Sequence, residues 1–332
     1  MRKPKVFVTC PIPEAGLDVL RGAVDMEVNM DDRVLTRQEL LAGVADADGL
    51  LCQLADVVDE SVLAAAPRLR AIANYAVGYN NIDIAAATDR RIAVTNTPGV
   101  LTETTADLTW ALILAVARRV VEGDAMVRQG RFRGWAPRLL LGGDVYGRVL
   151  GVVGMGRIGQ AVARRARGFG MKVLYYDRSG ISSSLETELG ATRVSLEELL
   201  RESDFVSLHV PLTPETRHLI GREQLAMMKR TAYLVNTARG PVVDEAALAQ
   251  ALAAGELAGA GLDVYENEPE VHPGLLGLDN VVLLPHLGSA TVDTRERMAV
   301  MAAESLLDVL EGREPRAGNL VNRGVIGVFK NK

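Results

Sequence analysis

Cysteine and histidine are scarce in this sequence, a strong net charge is missing, and no apolar run is long. Cys10 and Cys52 are the two cysteines in 332 residues. Both lie in or beside apolar segments; one disulfide could join them on paper, but buried thiols in a reducing compartment are the simpler reading. The net charge of −5 lacks the basic excess that a phosphate backbone demands, so no nucleic-acid partner is expected. The cluster Arg164-Arg165-Ala166-Arg167 reads as the solvated face of a helix. The most apolar helical stretch, residues 108–117, stops at Arg118-Arg119. That is too short for a hydrocarbon layer, so no membrane span is expected. The basic start Met1-Arg2-Lys3-Pro4-Lys5 is followed by an apolar stretch that ends by Pro11. No secretory core follows it, and a cytoplasmic location is the expectation.

What is present is a balanced globular composition, 48% hydrophobic and 24% charged, in a chain long enough for two cores. Apolar runs at 5–9, 49–52, 71–74 and 92–96 alternate with helix-like segments. A second series, at 149–153, 173–177, 205–209, 233–236, 259–263 and 281–284, does so more clearly. Strand–helix alternation at this spacing predicts two doubly wound parallel sheets, the second with six strands. A long helix is expected from near Thr102 past Arg118, and a loop over 130–147. The last helix, about 292–311, lacks a following strand and is expected to cross back onto the first domain. That makes residues 1–99 plus 287–332 one discontinuous domain and 100–286 an inserted second one. The tail 328–332 is expected to be loosely held.

The strongest local signal is Gly154-Met155-Gly156-Arg157-Ile158-Gly159. It follows the run 149–153 and opens a helical segment, 160–168. In that context Gly154 permits a tight turn, Gly156 bares the backbone for a pyrophosphate, and Gly159 lets helix and strand pack closely. About twenty residues on, the next strand ends in Asp177, an acid suited to ribose hydroxyls and repulsive to a 2′-phosphate. NAD is therefore expected, with NADP as the weaker cofactor because Arg178 offers a phosphate a guanidinium.

Reduction of a 2-keto acid needs a clamp for the carboxylate and a proton donor for the keto oxygen. Of the four histidines, His218 and His272 sit in polar surroundings. His209 ends a strand, where it lines a crevice or is a satisfied half-buried residue. His286 lies just past the strand 281–284, where such folds bind ligands, and is the best proton donor by position. Arg239 lies just past the strand 233–236 and is the clamp candidate. Glu266 and Glu268 are alternative acid partners that periodicity does not separate.

These motifs, in this order, resemble the D-isomer-specific 2-hydroxyacid dehydrogenases: the glycine turn with Asp177, the run 236–244, the run 263–269, and His286-Leu287-Gly288-Ser289. Ala76-Val77-Gly78-Tyr79-Asn80-Asn81, Arg133-Gly134-Trp135-Ala136-Pro137 and Gly318-Asn319-Leu320-Val321-Asn322 are most similar to the glyoxylate/hydroxypyruvate reductases among them. The resemblance implies a Rossmann cofactor domain inserted into a flavodoxin-like substrate domain, and a small 2-keto acid as substrate. It implies His286 as acid/base, Glu268 rather than Glu266 as its partner, and Arg239 as substrate anchor. Val77 and Gly78 would give N–H groups to the substrate carboxylate, with Leu54 lining the pocket. Thr105, Arg157, Ile158, Val210, Pro211, Ala238, Asp263 and Gly288 would approach the cofactor. A homodimer built on the helix 108–117 is implied, with Trp135 reaching the partner's active site. No metal is implied.

Three relatives compete. Phosphite dehydrogenase shares the Arg-Gly-Trp-x-Pro stretch but places a lysine where Val77 stands. Phosphoglycerate dehydrogenase requires a regulatory domain that the residues after Gly312 do not accommodate. An NAD-sensing corepressor can retain the same Arg, Glu and His, but the basic or disordered extensions expected of it are lacking here.

Overall fold

The computed structural model describes residues 2–328, so 329–332 of the tail lie outside the described residues. The chain divides into two compact units, Met1–Leu101 with Ala290–Lys332 and Thr102–Ser289.

The first unit is a five-stranded parallel sheet of β1 (Lys5–Val8), β2 (Asp25–Val28), β3 (Gly49–Cys52), β4 (Ala71–Asn74) and β5 (Ala93–Thr95). Its order β2-β1-β3-β4-β5 is the flavodoxin-like one. β3 and β4 are buried throughout, as parallel strands covered on both faces must be. β2 escapes a reading for apolar runs. Its Asp25-Met26-Glu27-Val28 alternates exposed with half-buried residues at the sheet edge.

The helix Val292–Leu310 packs on this sheet, and Met298, Ala299, Ala302, Ala303 and Leu306 share one core with Val6, Val8 and Leu51. Thr291 caps it by accepting from the Thr294 N–H. Gly16 brings the helix Glu14–Leu20 against it, since a Cβ there would lie 2.7 Å from Ala299 Cβ. Truncating the wholly buried Leu306 to Ala would cost about 2–5 kcal/mol.

The second unit is a seven-stranded parallel sheet. It comprises β6 (Val149–Val153), β7 (Lys172–Tyr176), β8 (Ala191–Arg193), β9 (Phe205–Leu208), β10 (Tyr233–Asn236), β11 (Gly259–Leu262) and β12 (Val281–Leu283). The order β12-β11-β10-β9-β6-β7-β8 is that of a dinucleotide-binding sheet with one strand added. The expected count of six is corrected to seven. β8 is three residues long behind Gly190 and exposes two of them, so it carries no apolar run.

The long helix also ends sooner than expected. It spans Thr102–Ala117, Arg119 turns left-handed with φ of 53°, and a separate helix, Val120–Arg128, follows. The Ala117 carbonyl accepts from the Gly143 N–H at 2.8 Å, so the returning loop takes the place of a further helical turn. Val120–Arg128 buries none of its residues. No helix among the described residues is long and apolar enough to cross a membrane.

Candidate active site

The chemistry-bearing residues of the second unit sit beyond the carboxyl ends of adjacent strands. After β10 the Asn236 side chain staples the turn: its amide donates to Arg239 O at 3.0 Å and its carbonyl accepts from Ala238 N–H at 3.0 Å. Arg239 Nη1 donates to Ala238 O at 2.6 Å. Burial lowers the guanidinium's pKa against the opposing pull of Glu268, yet an arginine stays charged at any working pH.

Past β11, Glu268 folds back on its own segment. Its Oε1 accepts from Tyr265 N–H at 3.0 Å, and its Oε2 faces His286 Nδ1 at 2.9 Å. Burial raises the Glu268 carboxyl, but the hydrogen bond and charge of His286, the Tyr265 N–H and the charge of Arg239 outweigh it. Its pKa lies below the ordinary value, so it is ionised at neutral pH. An ionised carboxylate only accepts, which makes Nδ1 the donor and leaves His286 Nε2 for a substrate.

His286 follows β12 with φ of 55°, a conformation few non-glycine residues adopt. Asp263 holds it there. The Asp263 carbonyl accepts from His286 N–H at 2.9 Å. Its carboxylate accepts from Leu287 N–H at 2.6 Å and Gly288 N–H at 2.8 Å.

Glu266 has different partners: its Oε1 lies 2.6 Å from His218 Nε2 and 3.2 Å from Arg217 Nη2. The geometry thus separates two acids that periodicity left equivalent. His272 begins the helix Pro273–Leu276, its Nδ1 accepting from Gly274 N–H at 3.1 Å. His209 bonds Ser207 Oγ through Nε2 at 2.8 Å, while its buried Nδ1 has no partner among the described residues. Burial pushes this imidazole down to about 3.

The glycine turn fits a dinucleotide. Gly154 has φ of 95°, and a Cβ there would meet the His209 carbonyl at 2.8 Å and the Val210 side chain at 2.9 Å. That puts Val210 beside the turn, with the exposed Pro211 next to it. A Cβ on Gly159 would lie 2.1 Å from Gly154 O, whereas space around Gly156 is open. Gly156 starts the helix Arg157–Ala166 with no side-chain cap, leaving the amides of its first turn, Arg157 and Ile158 included, available to phosphate.

Asp177 stands one residue past β7 and is already engaged. Met155 N–H donates to its Oδ2 at 3.0 Å, and Ser179 and Gly180 N–H donate to its Oδ1 at 2.9 and 3.3 Å. A carboxylate has about four lone-pair sites, so capacity for a ribose hydroxyl remains. The adjacent Arg178 is exposed.

Two cofactor candidates are placed as supports. Thr105 is buried and donates to Gly288 O at 2.9 Å, while both carboxylate oxygens of the buried Asp263 serve the turn at 287–288. Ala238 is buried in the Asn236 staple. Leu54, Val77 and Gly78 belong to the first unit and are half-buried. Trp135 lies in the loop after the helix Val120–Arg128 and is 85% exposed. Sequence reasoning missed Asn236 as a staple; its signal was a buried-strand position occupied by an amide. Among the described residues, no group of His, Cys, Asp and Glu is arranged to hold a metal.

Comparison with known proteins agrees with this geometry. Residues 110–288 match the model of the D-isomer specific 2-hydroxyacid dehydrogenase, NAD binding domain. A glyoxylate reductase of Korarchaeum cryptofilum is 56% identical over 98% of each chain. A crystal structure of a Thermus thermophilus protein is 52% identical with a TM-score of 0.88, covering 96% of this chain and 99% of that one. An NADPH-dependent glyoxylate/hydroxypyruvate reductase of Sinorhizobium meliloti, solved with NADP and malonate, is 34% identical with a TM-score of 0.84. It covers 97% of this chain and 98% of its own. This chain belongs to the D-isomer specific 2-hydroxyacid dehydrogenase family and is an NAD(P)-linked oxidoreductase.

Proposed function

We propose that this protein reduces glyoxylate or hydroxypyruvate, with NADH preferred over NADPH, as a cytoplasmic homodimer. The observation that carries the reading is the His286–Glu268 hydrogen bond with the charge of Arg239 acting on the same carboxylate. It is joined by the names of relatives more than half identical to this chain.

A bound nicotinamide dinucleotide supplies the hydride that reduces the keto carbon. The chain's own groups do the rest. His286 gives the Nε2 proton to the keto oxygen as negative charge develops there, and Glu268, hydrogen-bonded to Nδ1, fixes the ring. Arg239 draws charge onto the carboxylate and keto oxygens of the acid. Val77 and Gly78 give backbone N–H groups to the carboxylate. Asp177 favours NADH by accepting from ribose hydroxyls and repelling a 2′-phosphate.

The dimer is supported by an apolar arm in the second unit: Val120, Val121, Val127, Phe132, Trp135, Leu141 and Tyr146 are all exposed. A segment of such composition with no buried helix face is unusual for a free surface. Sedimentation equilibrium yielding one-chain mass at micromolar concentration would reject the dimer.

The test of function is loss of NADH absorbance with glyoxylate, hydroxypyruvate and pyruvate against a buffer blank. Oxidation well above the blank with the first two is the expected result. NADH binding without turnover on any of them would instead indicate a sensor of the dinucleotide.

A further inference from the structure

The loop after β4, residues 75–81, contains a second device built from side-chain amides. Three successive carbonyls there are held by the protein: Ala76 O by Thr97 N–H at 2.9 Å, Val77 O by Asn96 Nδ2 at 2.7 Å, and Gly78 O by Asn74 Nδ2 at 2.7 Å. The donors are interior groups: Asn74 is 0% exposed, Thr97 0% and Asn96 8%. Asn74 is itself braced by Asn81, whose amide also reaches Gln53 O at 3.0 Å and Asp56 O at 3.1 Å.

Among the described residues, the N–H groups of Val77 and Gly78 donate to no acceptor, and both residues are half-buried. A trans peptide is planar, with N–H antiparallel to the carbonyl of the preceding residue. Holding Ala76 O therefore turns the Val77 N–H away from its anchor. Holding Val77 O does the same for the Gly78 N–H. Two adjacent amides aimed the same way form an anion-binding concavity.

We propose that Asn96 is a positioning residue for substrate, fixing the peptide that aims the Gly78 N–H at the acid's carboxylate, with Asn74 bracing the far side of Gly78. This rests on the assignment of Val77 and Gly78 to carboxylate binding made above. Asn96 touches no reacting atom. It fixes a donor in advance, so that binding need not order the loop.

The test is steady-state kinetics of Asn96→Ala and of the isosteric Asn96→Asp, whose side chain cannot donate to Val77 O. Glyoxylate KM is expected to rise about ten-fold in both, the loss of one hydrogen bond to a charged group. kcat should stay within about two-fold and NADH affinity should be unchanged, a split that general loosening of the fold would not produce. An unaltered glyoxylate KM in a variant that still binds NADH would overturn the inference, as would a fall in kcat and NADH affinity with KM unmoved. Wild-type protein that turns over none of the keto acids would instead remove the functional reading beneath it.

Discussion

Replacing Glu268 by Gln tests the heart of the site. Gln keeps the shape of the side chain and an oxygen for His286 Nδ1 to donate to, so the change removes charge and little else. A hydrogen bond to a charged partner contributes about 1.5–3 kcal/mol. The pair is partly open to water, with side chains 32% and 36% exposed, which favours the lower part of that range. At about 1.4 kcal/mol per ten-fold, kcat for glyoxylate reduction is expected to fall about 10- to 30-fold. The control is Glu266→Gln, which breaks contacts to His218 and Arg217 and should leave kcat within about two-fold. The assay is single-turnover NADH oxidation, which separates chemistry from product release. Because the Glu268 carboxyl is held below the ordinary value by its partners, against burial, its contribution is intact above the usual carboxylate range. It is lost only as pH falls through the lowered value, and Gln at 268 should abolish that acid limb. Equal losses from both variants, or none from Glu268→Gln, would refute the pairing.

His286→Ala should reduce kcat by about 10²–10⁴ while NADH still binds; a kcat near wild type would remove His286 as the proton donor. Asp177→Asn should raise the NADPH-to-NADH ratio of kcat/KM by about ten-fold, since like charge no longer faces a 2′-phosphate. A constant ratio would reduce Asp177 to its role in holding the turns at 155 and 179–180. His209 supplies a pH signature. Unfolded, it takes a proton as pH drops through 6.5, but folded it stays neutral to about 3. Its stabilising contribution is therefore full above 6.5 and shrinks below, by roughly 2 kcal/mol at pH 5. Urea unfolding of His209→Gln should show correspondingly less loss between pH 7 and pH 5, and identical losses would contradict the buried neutral imidazole.

Residues whose position follows from strand ends were legible in the sequence. Arg239 and His286 each lie just past an apolar run, and the Gly154 turn is marked by the run before it. What stayed hidden depends on tertiary placement. Glu266 and Glu268 share a period and a composition, and only the path of the chain after β11 gives one to His218 and the other to His286. β2 and β8 are short edge strands with exposed positions, so burial writes little into them. The end of Thr102–Ala117 is set by a loop some 25 residues away, through the Gly143 N–H, which no local pattern encodes. Asn96 reads as no more than the last residue of the run 92–96 until Val77 O is found beside it.

The left-handed backbone at His286 has a consequence for engineering. A side chain there is disfavoured by about 1–3 kcal/mol, offset by the three hydrogen bonds that Asp263 supplies. Glycine would accept the same geometry without penalty, so selection for heat tolerance alone pushes this position towards an inactive sequence. Thermal screening of variant libraries must therefore be paired with turnover, or it will enrich hardened proteins that no longer move a proton.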